Sequence, residues 1–431
     1  MKKSESRWYP LIDHPVQLAL VNAVRSGIRF PVVPAGRRSG KTERFKRFVV
    51  KEAMRNPGES YFAGAPTREQ AKKIFWNDLK LLSFSESFPK KPSETELKIF
   101  FPNDSTLTVL GLDEPARFEG AAWTGGGIDE FGNMKENAWN ENIMPALNTV
   151  DPRRPNYRAW CWIFGVPEGM NHYYNLAQYA ETANDPLWKV FHWKSAEILP
   201  ADVIEAAKRV LSPMQFRQEF EASFESAIGR VYNDYGAHNH TDTTIQPHEQ
   251  ILWFHDFNYT PLSSGIGVRR GDSLFLLDEI ILTSAVAKQS ALEFVEKYKT
   301  HNNKNVLVYG DPAGRAGERH GHQSDYTEIE SVLRSHGWKF ERRVKMSTRS
   351  IKDGQNAVRA KILNAKGDST LFVNIKTAKW IHEGFTRCTL KKGSTFLEDD
   401  ADDHQHVMSA VRYLVDYEFP ILGGGGGVRG F

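Results

Sequence analysis

One stretch near the N-terminus restricts the fold more than any other, because an apolar run, a glycine-containing turn and an amphipathic helix follow one another directly. The apolar run covers residues 30–33, the turn reads AGRRSGKT over residues 35–42, and the helix opens within that turn. A phosphate-binding loop needs this context, since the backbone N–H groups at a helix N-terminus cradle phosphate groups. Ala35 occupies the position of the usual first glycine, so the sequence matches the relaxed form of the motif.

The residues of this turn predict a nucleotide-binding site. Lys41 is expected to reach the β- and γ-phosphates of ATP, and the Thr42 hydroxyl is expected to bind Mg²⁺. The other members of the expected cofactor-binding loop are Arg37, Arg38, Ser39 and Gly40. The alternative is an ordinary strand-to-helix turn, which leaves Lys41 unexplained.

A pair of acidic residues, Asp129 and Glu130, follows the glycine-rich stretch at residues 124–127. In a phosphate-loop enzyme Asp129 would hold the water shell of Mg²⁺, and Glu130 would orient or deprotonate the attacking water. Glycines weaken a strand, so they predict that other groups approach this backbone closely. The alternative is an acidic loop end, and the phosphate-binding loop favours the catalytic interpretation.

Phosphoryl transfer also requires positive charge near the γ-phosphate, and three arginines are candidates for it. Arg37 and Arg38 lie in the loop, and Arg117 lies upstream of the acidic pair. Gln17, ahead of the loop strand, is a candidate for reading the edge of an adenine. An ordinary surface position is the alternative for each of these four residues.

Short strands and helical patterns alternate along the first third of the chain, which predicts a mostly parallel sheet. Residues 98–112 predict a hairpin around Pro-Asn-Asp. A second set of strands begins after a polar, turn-rich segment, at about 250, and a helix with an apolar stripe is predicted at 404–419.

The length of 431 residues is enough for two or three domains. The polar segment at 226–248 indicates the boundary between two of them. The predicted division is a first domain at 1–200 with the loop, a helical linker and hinge at 201–248, a second domain at 249–420, and a flexible glycine-rich tail at 421–431.

Acidic residues stand at strand ends and at a helix start in the second half of the chain. Asp256 and Asp311 each end a predicted strand, and Asp402 and Asp403 precede the helix at 404. Carboxylates in such positions can converge and hold two divalent metal ions on a scissile phosphate, and hard oxygen ligands suit Mg²⁺ or Mn²⁺. Turn or cap residues are the alternative for each acid alone.

The charge distribution is uneven although the formal net charge is only +3. Residues 338–392 hold 14 Lys and Arg against 4 Asp and Glu, and residues 398–403 then hold five acids. A DNA-cutting metal site would need this arrangement, while a solvated surface followed by an acidic loop is the alternative. The sequence has no apolar run of membrane-spanning length, no secretory signal and only two cysteines, which predicts a reducing cytoplasm.

Taken in order, these motifs resemble the large terminase subunit of tailed bacteriophages over roughly residues 10–415. The resemblance rests on GRRSGKT, RFEGAAWTGGGIDEFG and FRQEFEASF in the first half, and on HDFNYTP, YGDPAG and HVMSAVRY in the second. It implies an N-terminal P-loop ATPase domain of the ASCE type with a mostly parallel sheet. It further implies a C-terminal RNase H-like nuclease domain with a mixed α/β fold.

The resemblance also implies roles by position. Lys41 and Thr42 would bind phosphate and Mg²⁺, Asp129 and Glu130 would be the magnesium-site and catalytic acids, and Arg117 would be a trans-acting arginine finger. Asp256 and Asp311 resemble the first two nuclease ligands. Two positions depart from the pattern: Val166 replaces a hydroxyl residue in the coupling motif, and Ser409 stands where His-x-x-Asp has its acid. The third ligand therefore stays open among Asp402, Asp403 and His406.

The implied function is ATP-driven packaging of double-stranded DNA into a procapsid, with cutting of concatemeric DNA. The implied partners are DNA, the portal protein and the small terminase subunit, with a homo-oligomeric ring (a pentamer) on the portal and a monomer in isolation, all in the host cell cytoplasm. Two other hypotheses share parts of the sequence pattern. One is a helicase or restriction-type translocase with a nuclease, and the other is a resolvase-like nuclease without motor activity.

Overall fold

A computed structural model gives the fold of the chain as two compact units. It describes residues 8–83, 88–148, 158–225, 229–257, 261–315, 324–347, 349–391, 394, 396–399 and 403–420. The first unit comprises residues 1–204 and 217–226, and the second comprises residues 205–216 and 227–431. The chain therefore passes from one unit to the other three times. The tail at 421–431 and Asp402 lie outside the described residues.

A seven-stranded sheet forms the centre of the first unit. All neighbouring strands are parallel except the first pair, which is the antiparallel hairpin predicted from the sequence. In spatial order the strands are β3 (Lys98–Phe100), β4 (Thr106–Gly111), β2 (Ser60–Ala65), β5 (Gly125–Ile128), β6 (Trp160–Gly165), β1 (Phe30–Pro34) and β7 (Trp188–Val190).

Helices and apolar cores cover both faces of this sheet. In β6 Trp160, Trp162 and Phe164 join one core, and Cys161 and Ile163 join the other, as the two-residue period of a strand requires. The helices are α1 (Pro15–Arg25), α2 (Lys41–Arg55), α3 (Arg68–Ala71), α4 (Asn77–Ser83), α5 (Met144–Leu147) and α6 (His172–Thr182), with π-helical turns at Lys72–Trp76 and Trp139–Ile143.

The glycines of β5 are required by the close approach of aromatic side chains. A Cβ atom on Gly125 would lie 2.1 Å from the Trp160 ring, and one on Gly126 would lie 2.4 Å from Phe62. A Cβ atom on Gly127 would lie 2.6 Å from Phe45 of α2. The close approach predicted from the glycines is thus confirmed, and it brings α2 against the strand that leads into the acidic pair.

The second unit has a mixed six-stranded sheet. Its spatial order is β12 (Lys339–Arg342), β11 (Asn305–Gly310), β8 (Ile251–Asp256), β9 (Leu262–Arg270), β10 (Ser273–Leu282) and β13 (Leu371–Val373). Strand β9 is antiparallel to its neighbours β8 and β10, and the outer pairs are parallel. The helices are α9 (Ala287–Lys297), α10 (Asp325–Ser335), α11 (Ile351–Ile362), α12 (Lys379–Arg387) and α13 (His404–Glu418).

Two further helices, α7 (Ala201–Val210) and α8 (Pro213–Phe220), lie where the chain changes unit. Pro213 is the first residue of α8, where its missing N–H costs no hydrogen bond. The break between the two helices follows from this position. No helix in the described part of the chain is long and apolar enough to span a membrane.

Candidate active sites

The turn predicted to bind phosphate connects β1 to α2 at the carboxyl end of the sheet. Arg38 and Gly40 both have left-handed backbones, with φ of 56° and 81°, and these turn the chain into the N-terminus of α2. Lys41 is the first residue of α2, and its buried Nζ donates to the Gly36 carbonyl at 3.3 Å. Burial lowers the pKa of Lys41, while the nearby Asp129 carboxylate opposes this shift.

The acidic pair lies against this loop because β5 ends beside it. The Thr42 hydroxyl donates to Asp129 Oδ2 at 2.6 Å, and Asp129 Oδ1 accepts from the Glu130 N–H at 2.9 Å. The Asp129 N–H donates to the Gly64 carbonyl of β2 at 2.9 Å, which fixes the backbone at the strand end. The structure therefore brings Lys41, Thr42, Asp129 and Glu130 to one place.

Glu130 has an unusual backbone and an unusual environment. Its φ of 55° is in the left-handed region, which is strained for a residue with a Cβ. Burial raises the pKa of the Glu130 carboxyl, the neighbouring Asp129 and Glu168 carboxylates raise it further, and Lys41 opposes them. Gln70 Nε2 lies 3.5 Å from Glu130 Oε2. Strain and a raised pKa together are typical of a catalytic carboxylate.

The candidate arginines differ in their placement. Arg37 is half-exposed and pairs with Glu219 Oε2 at 2.8 Å through its Nε. Arg38 is exposed at the loop surface. Arg117 lies in a 3₁₀ turn at Pro115–Phe118, and its side chain is outside the described part of the structure.

Gln17 lies beside the loop with its amide engaged. It is 2% exposed, its Nε2 donates to the Ser39 carbonyl at 2.9 Å, and its Oε1 accepts from Arg44 Nε at 3.0 Å. The sequence places this residue near the nucleotide but gives no sign of these partners.

Several residues that hold the loop were not found from the sequence. Trp193 Nε1 donates to the Ser39 carbonyl at 2.9 Å, and the Ser195 hydroxyl donates to the Arg37 carbonyl at 2.8 Å. The Glu219 carbonyl accepts from the Arg37 N–H at 2.6 Å. These partners are distant from the loop in sequence. Trp193 and Ser195 lie in no motif noted above, and Glu219 lies in FRQEFEASF, which gives no sign of this contact. Gln70 did have a local signal, because Thr67 and Gln70 form a capping box at the start of α3.

The loop fits a magnesium nucleotide. Among the described residues, the Lys41 ammonium has only a carbonyl as its hydrogen-bond acceptor, and the buried Ser39 hydroxyl has no hydrogen-bond partner. Thr42 and Asp129 supply the hydroxyl and carboxylate oxygens that Mg²⁺ prefers. A triphosphate would satisfy the Lys41 ammonium, and the hydroxyl–carboxylate contact marks the place of the cation.

The second unit brings Asp256 and Asp311 to one edge of its sheet. Strands β8 and β11 are parallel neighbours in which His255 pairs with Gly310, so the next residue of each strand is an aspartate. Asp311 is fixed by its neighbours, because its Oδ1 accepts from the Ala313 N–H at 2.8 Å. The sequence predicted only that both acids end strands, and the structure adds that they end at the same level.

Helix α13 adds further groups to this edge. His406 Nδ1 lies 3.2 Å from Asp256 Oδ2, and this contact, with a contribution from Asp403, raises the pKa of His406. Tyr413 hydrogen-bonds Asp311, and its pKa is raised by burial and by the Asp311 and Asp256 carboxylates. Asp256, Asp311, His406 and Asp403 are therefore neighbours, while Asp402 is not described.

The donor chemistry at this edge suits a hard cation, but the described donors are incomplete. Asp256 and Asp311 offer the oxygen ligands that Mg²⁺ and Mn²⁺ prefer. Within the described residues, no group of three or more His, Cys, Asp or Glu side chains could hold a metal ion. The third ligand is thus not identified among them.

Ser409 stands where the family motif has an acid, and it contacts a buried ion pair. The Ser409 hydroxyl accepts from Arg412 Nη2 at 2.6 Å, and Arg412 Nη1 pairs with Glu398 Oε1 at 3.0 Å. Gln355 Nε2 donates to the same Glu398 oxygen at 2.8 Å. Glu398 is the first residue of the acidic segment at 398–403, so this network fixes the start of that segment.

Much of the positive charge at 338–392 is engaged in ion pairs of the second unit. Arg343 pairs with Glu418 at 3.1 Å, and Lys345 and Arg349 pair with Asp416 at 3.0 and 2.5 Å. The surface is therefore less basic than the residue count implies.

Comparison with known proteins gives consistent similarities. Residues 33–234 match the family described as "Terminase large subunit, T4likevirus-type, N-terminal". The terminase large subunits of Thermus phage G20c and Thermus virus P23-45 are 25% and 24% identical to the chain over 253 residues, which are 51% of the chain and 50% of each relative. The chain thus spans about half the length of these curated relatives.

The fold of both units is similar to that of a solved protein. The large terminase from a thermophilic bacteriophage has a TM-score of 0.60 at 17% identity, covering 93% of this chain and 98% of that one. The structure of the same terminase in complex with ADP also has a TM-score of 0.60, covering 96% of this chain and 100% of that one. This likeness confirms the predicted fold class, with a mostly parallel sheet in the first unit and a mixed sheet in the second.

Proposed function

We propose that this chain, which resembles the large terminase subunits of bacteriophages in residues 33–234 and in the fold of its two units, is an ATP-driven DNA-packaging motor with an attached nuclease. The observation that carries the motor half is the 2.6 Å contact between Thr42 and Asp129 beside the buried Lys41. The ADP bound to the thermophilic phage terminase supports the same assignment.

In the first unit, each residue has a separate task. Lys41 binds the β- and γ-phosphates, and the loop N–H groups hold the phosphate oxygens. Thr42 and Asp129 would hold Mg²⁺, which would supply positive charge to neutralise those oxygens. Glu130 orients the attacking water and accepts its proton, and Arg37, Arg38 or a neighbour's Arg117 stabilises the γ-phosphate in the transition state.

In the second unit, Asp256 and Asp311 are the residues proposed to hold Mg²⁺ or Mn²⁺, with a third donor from Asp402, Asp403 or His406. Their parallel register and the contact between His406 and Asp256 support a single site at this edge. The proposed reaction is endonucleolytic cleavage of concatemeric DNA at the start and end of packaging.

The proposed partners follow from the family. They are double-stranded DNA, the portal of the procapsid, the small terminase subunit and further copies of this chain in a ring on the portal, in the cytoplasm of the host. The sequence predicts a hinge between an ATPase domain and a nuclease domain. Domain motion about this hinge, driven by ATP hydrolysis, is proposed to move the DNA.

Replacing Lys41 with methionine is the direct test of the motor. We expect hydrolysis of ATP in the presence of Mg²⁺ and double-stranded DNA to fall by about 100-fold or more, as when one preorganised charge-stabilising group is removed. Phosphate release measures the effect. A wild-type chain without ATPase activity under DNA-bound or portal-bound conditions contradicts the motor, and ATP-dependent separation of DNA strands would indicate a helicase instead.

The pH dependence of hydrolysis tests the role of Glu130. The carboxyl must be ionised to accept a proton, and its pKa is raised, so activity should decline on acidification at a pH above the ordinary carboxyl value of 4.5. Glu168→Gln removes one of the charges that raise this pKa. We expect the acid limb of the kcat profile of this variant to move to lower pH, and an unchanged limb would contradict the assignment.

A further inference from the structure

We propose that Tyr413 is a positioning residue of the nuclease site, whose hydroxyl orients the Asp311 carboxylate toward a metal ion. The proposal rests on the nuclease function proposed above, in which Asp311 is a metal ligand. Its basis is a pair of tyrosine–carboxylate hydrogen bonds between α13 and the region of β11, of which only the one made by Tyr413 ends on a proposed ligand.

Two donors hold the Asp311 side chain. The Ala313 N–H donates to Asp311 Oδ1 at 2.8 Å, and the Tyr413 hydroxyl is hydrogen-bonded to the same carboxylate. A phenol is protonated at neutral pH, so the hydroxyl is the donor in this bond. An ionised carboxylate can accept about four hydrogen bonds, so these two donors leave lone pairs for a cation. Together they restrict the rotation of the carboxylate and keep it able to bind metal.

A second tyrosine holds the backbone of Asp311. The buried Tyr326 hydroxyl donates to the Asp311 carbonyl at 2.8 Å. A Cβ atom on Gly310 would lie 2.7 Å from this hydroxyl, so the residue before Asp311 must lack a side chain for the bond to form. Because the backbone is fixed in this way, the remaining freedom of Asp311 lies in its side chain, which is the part that Tyr413 holds.

The spacing of residues on α13 explains how one helix reaches both proposed ligands. His406 and Tyr413 are seven residues apart, which is about two helical turns, so their side chains leave the same face of the helix. His406 Nδ1 lies 3.2 Å from Asp256 Oδ2, and Tyr413 is bonded to Asp311. The helix therefore sets the two carboxylates relative to each other.

Tyr309 makes the matched bond that separates positioning from helix packing. It lies on β11, and its hydroxyl donates to Glu418 Oε1 of α13 at 2.6 Å. Like the bond of Tyr413, it joins a tyrosine to a carboxylate between these parts of the second unit, but Glu418 is not a proposed ligand. Tyr309 is fully buried and Tyr413 is partly buried, so the Tyr309 hydroxyl should matter at least as much for packing.

The test is Tyr413→Phe in the full-length chain, which removes one hydroxyl and keeps the ring. We expect the dissociation constant of Mn²⁺, measured by calorimetry without nucleotide, to rise by about 10- to 100-fold, the range for partners that orient a metal ligand. Asp256→Asn identifies the part of the Mn²⁺ binding that belongs to this site. In plasmid cleavage the half-saturating Mn²⁺ concentration should rise by the same factor, the rate should recover as Mn²⁺ is increased, and ATP hydrolysis should not change.

Tyr309→Phe is the matched control and should bind Mn²⁺ as the wild type does. Unchanged Mn²⁺ binding by Tyr413→Phe would overturn the proposal while the nuclease function stands. Equal weakening in Tyr413→Phe and Tyr309→Phe would also overturn it, because the effect would then come from the packing of α13. A wild-type chain that neither binds Mn²⁺ at this site nor cuts DNA contradicts the proposed nuclease and the inference with it.

Discussion

Glu130→Gln should reduce the hydrolysis of ATP by about 10²- to 10⁴-fold, the range expected when a general base is removed. The substitution keeps the shape of the side chain and its place after Asp129, while the contact between Thr42 and Asp129 stays intact. Binding of the nucleotide should therefore persist. Steady-state phosphate release and the dissociation constant of MgATP, measured together, separate these two effects.

The same substitution should raise the thermal stability of the unliganded chain. The pKa of Glu130 is raised in the folded protein, so the folded state binds this proton more tightly than the unfolded state does. The stability from that proton is present at low pH and is lost as the pH rises through the raised pKa, and at neutral pH a buried charge is left. Removing the charge removes this cost, so the Tm should increase.

Glu136→Gln is the control, because Glu136 is exposed and close in sequence. It should keep wild-type hydrolysis. If Glu130→Gln hydrolysed ATP at the wild-type rate, Glu130 would not be the base, and the strain at its backbone would need another explanation.

Asp256→Asn is expected to abolish DNA cleavage and to leave ATP hydrolysis unchanged. Partners that only orient a metal ligand are worth about 10- to 100-fold, so removing a ligand itself should cost at least about 100-fold. Asp256 is 7% exposed and touches His406, and the asparagine keeps its volume while losing its charge. Conversion of supercoiled plasmid in Mg²⁺ and in Mn²⁺ measures cleavage.

Asp272→Asn is the control variant, because it removes the same negative charge at a different position. Asp272 lies in the turn between β9 and β10, and its side chain is 93% exposed, so this variant should cut as the wild type does. Equal cutting by Asp256→Asn and by the wild type would remove the nuclease assignment, while the motor assignment would be unaffected.

The sequence was most informative where function depends on neighbouring residues. The order of strand, turn and helix predicted the loop at 35–42, and the alternation of elements predicted the parallel sheet that the structure has. Two glycine-rich features, the turn before Lys41 and the strand before Asp129, impose local conformations that can be recognised without the fold. Because β1 and β5 run parallel in one sheet, their carboxyl ends lie at the same edge of that sheet.

The sequence was least informative about partners that meet only through the tertiary fold. Nothing near Trp193 or Glu219 indicates that they hold the loop, and nothing near Gln17 indicates which way its amide points. In the second unit, the count of lysines and arginines suggested a free basic surface, whereas Arg343 and Lys345 pair with acids of α13. Long-range pairing of this kind depends on packing, which local patterns do not encode.

The three passages of the chain between its units bear on how the protein can be dissected. A fragment ending at residue 204 would lose Glu219, whose carbonyl and carboxylate both hold Arg37. A fragment ending at 226 would keep Glu219 but carry residues 205–216 away from their own unit, where the Leu211 carbonyl accepts from the Ala365 N–H. No single cut of the chain therefore yields two intact units. A protease that cleaves one of the three connections leaves the other two connections between the units intact.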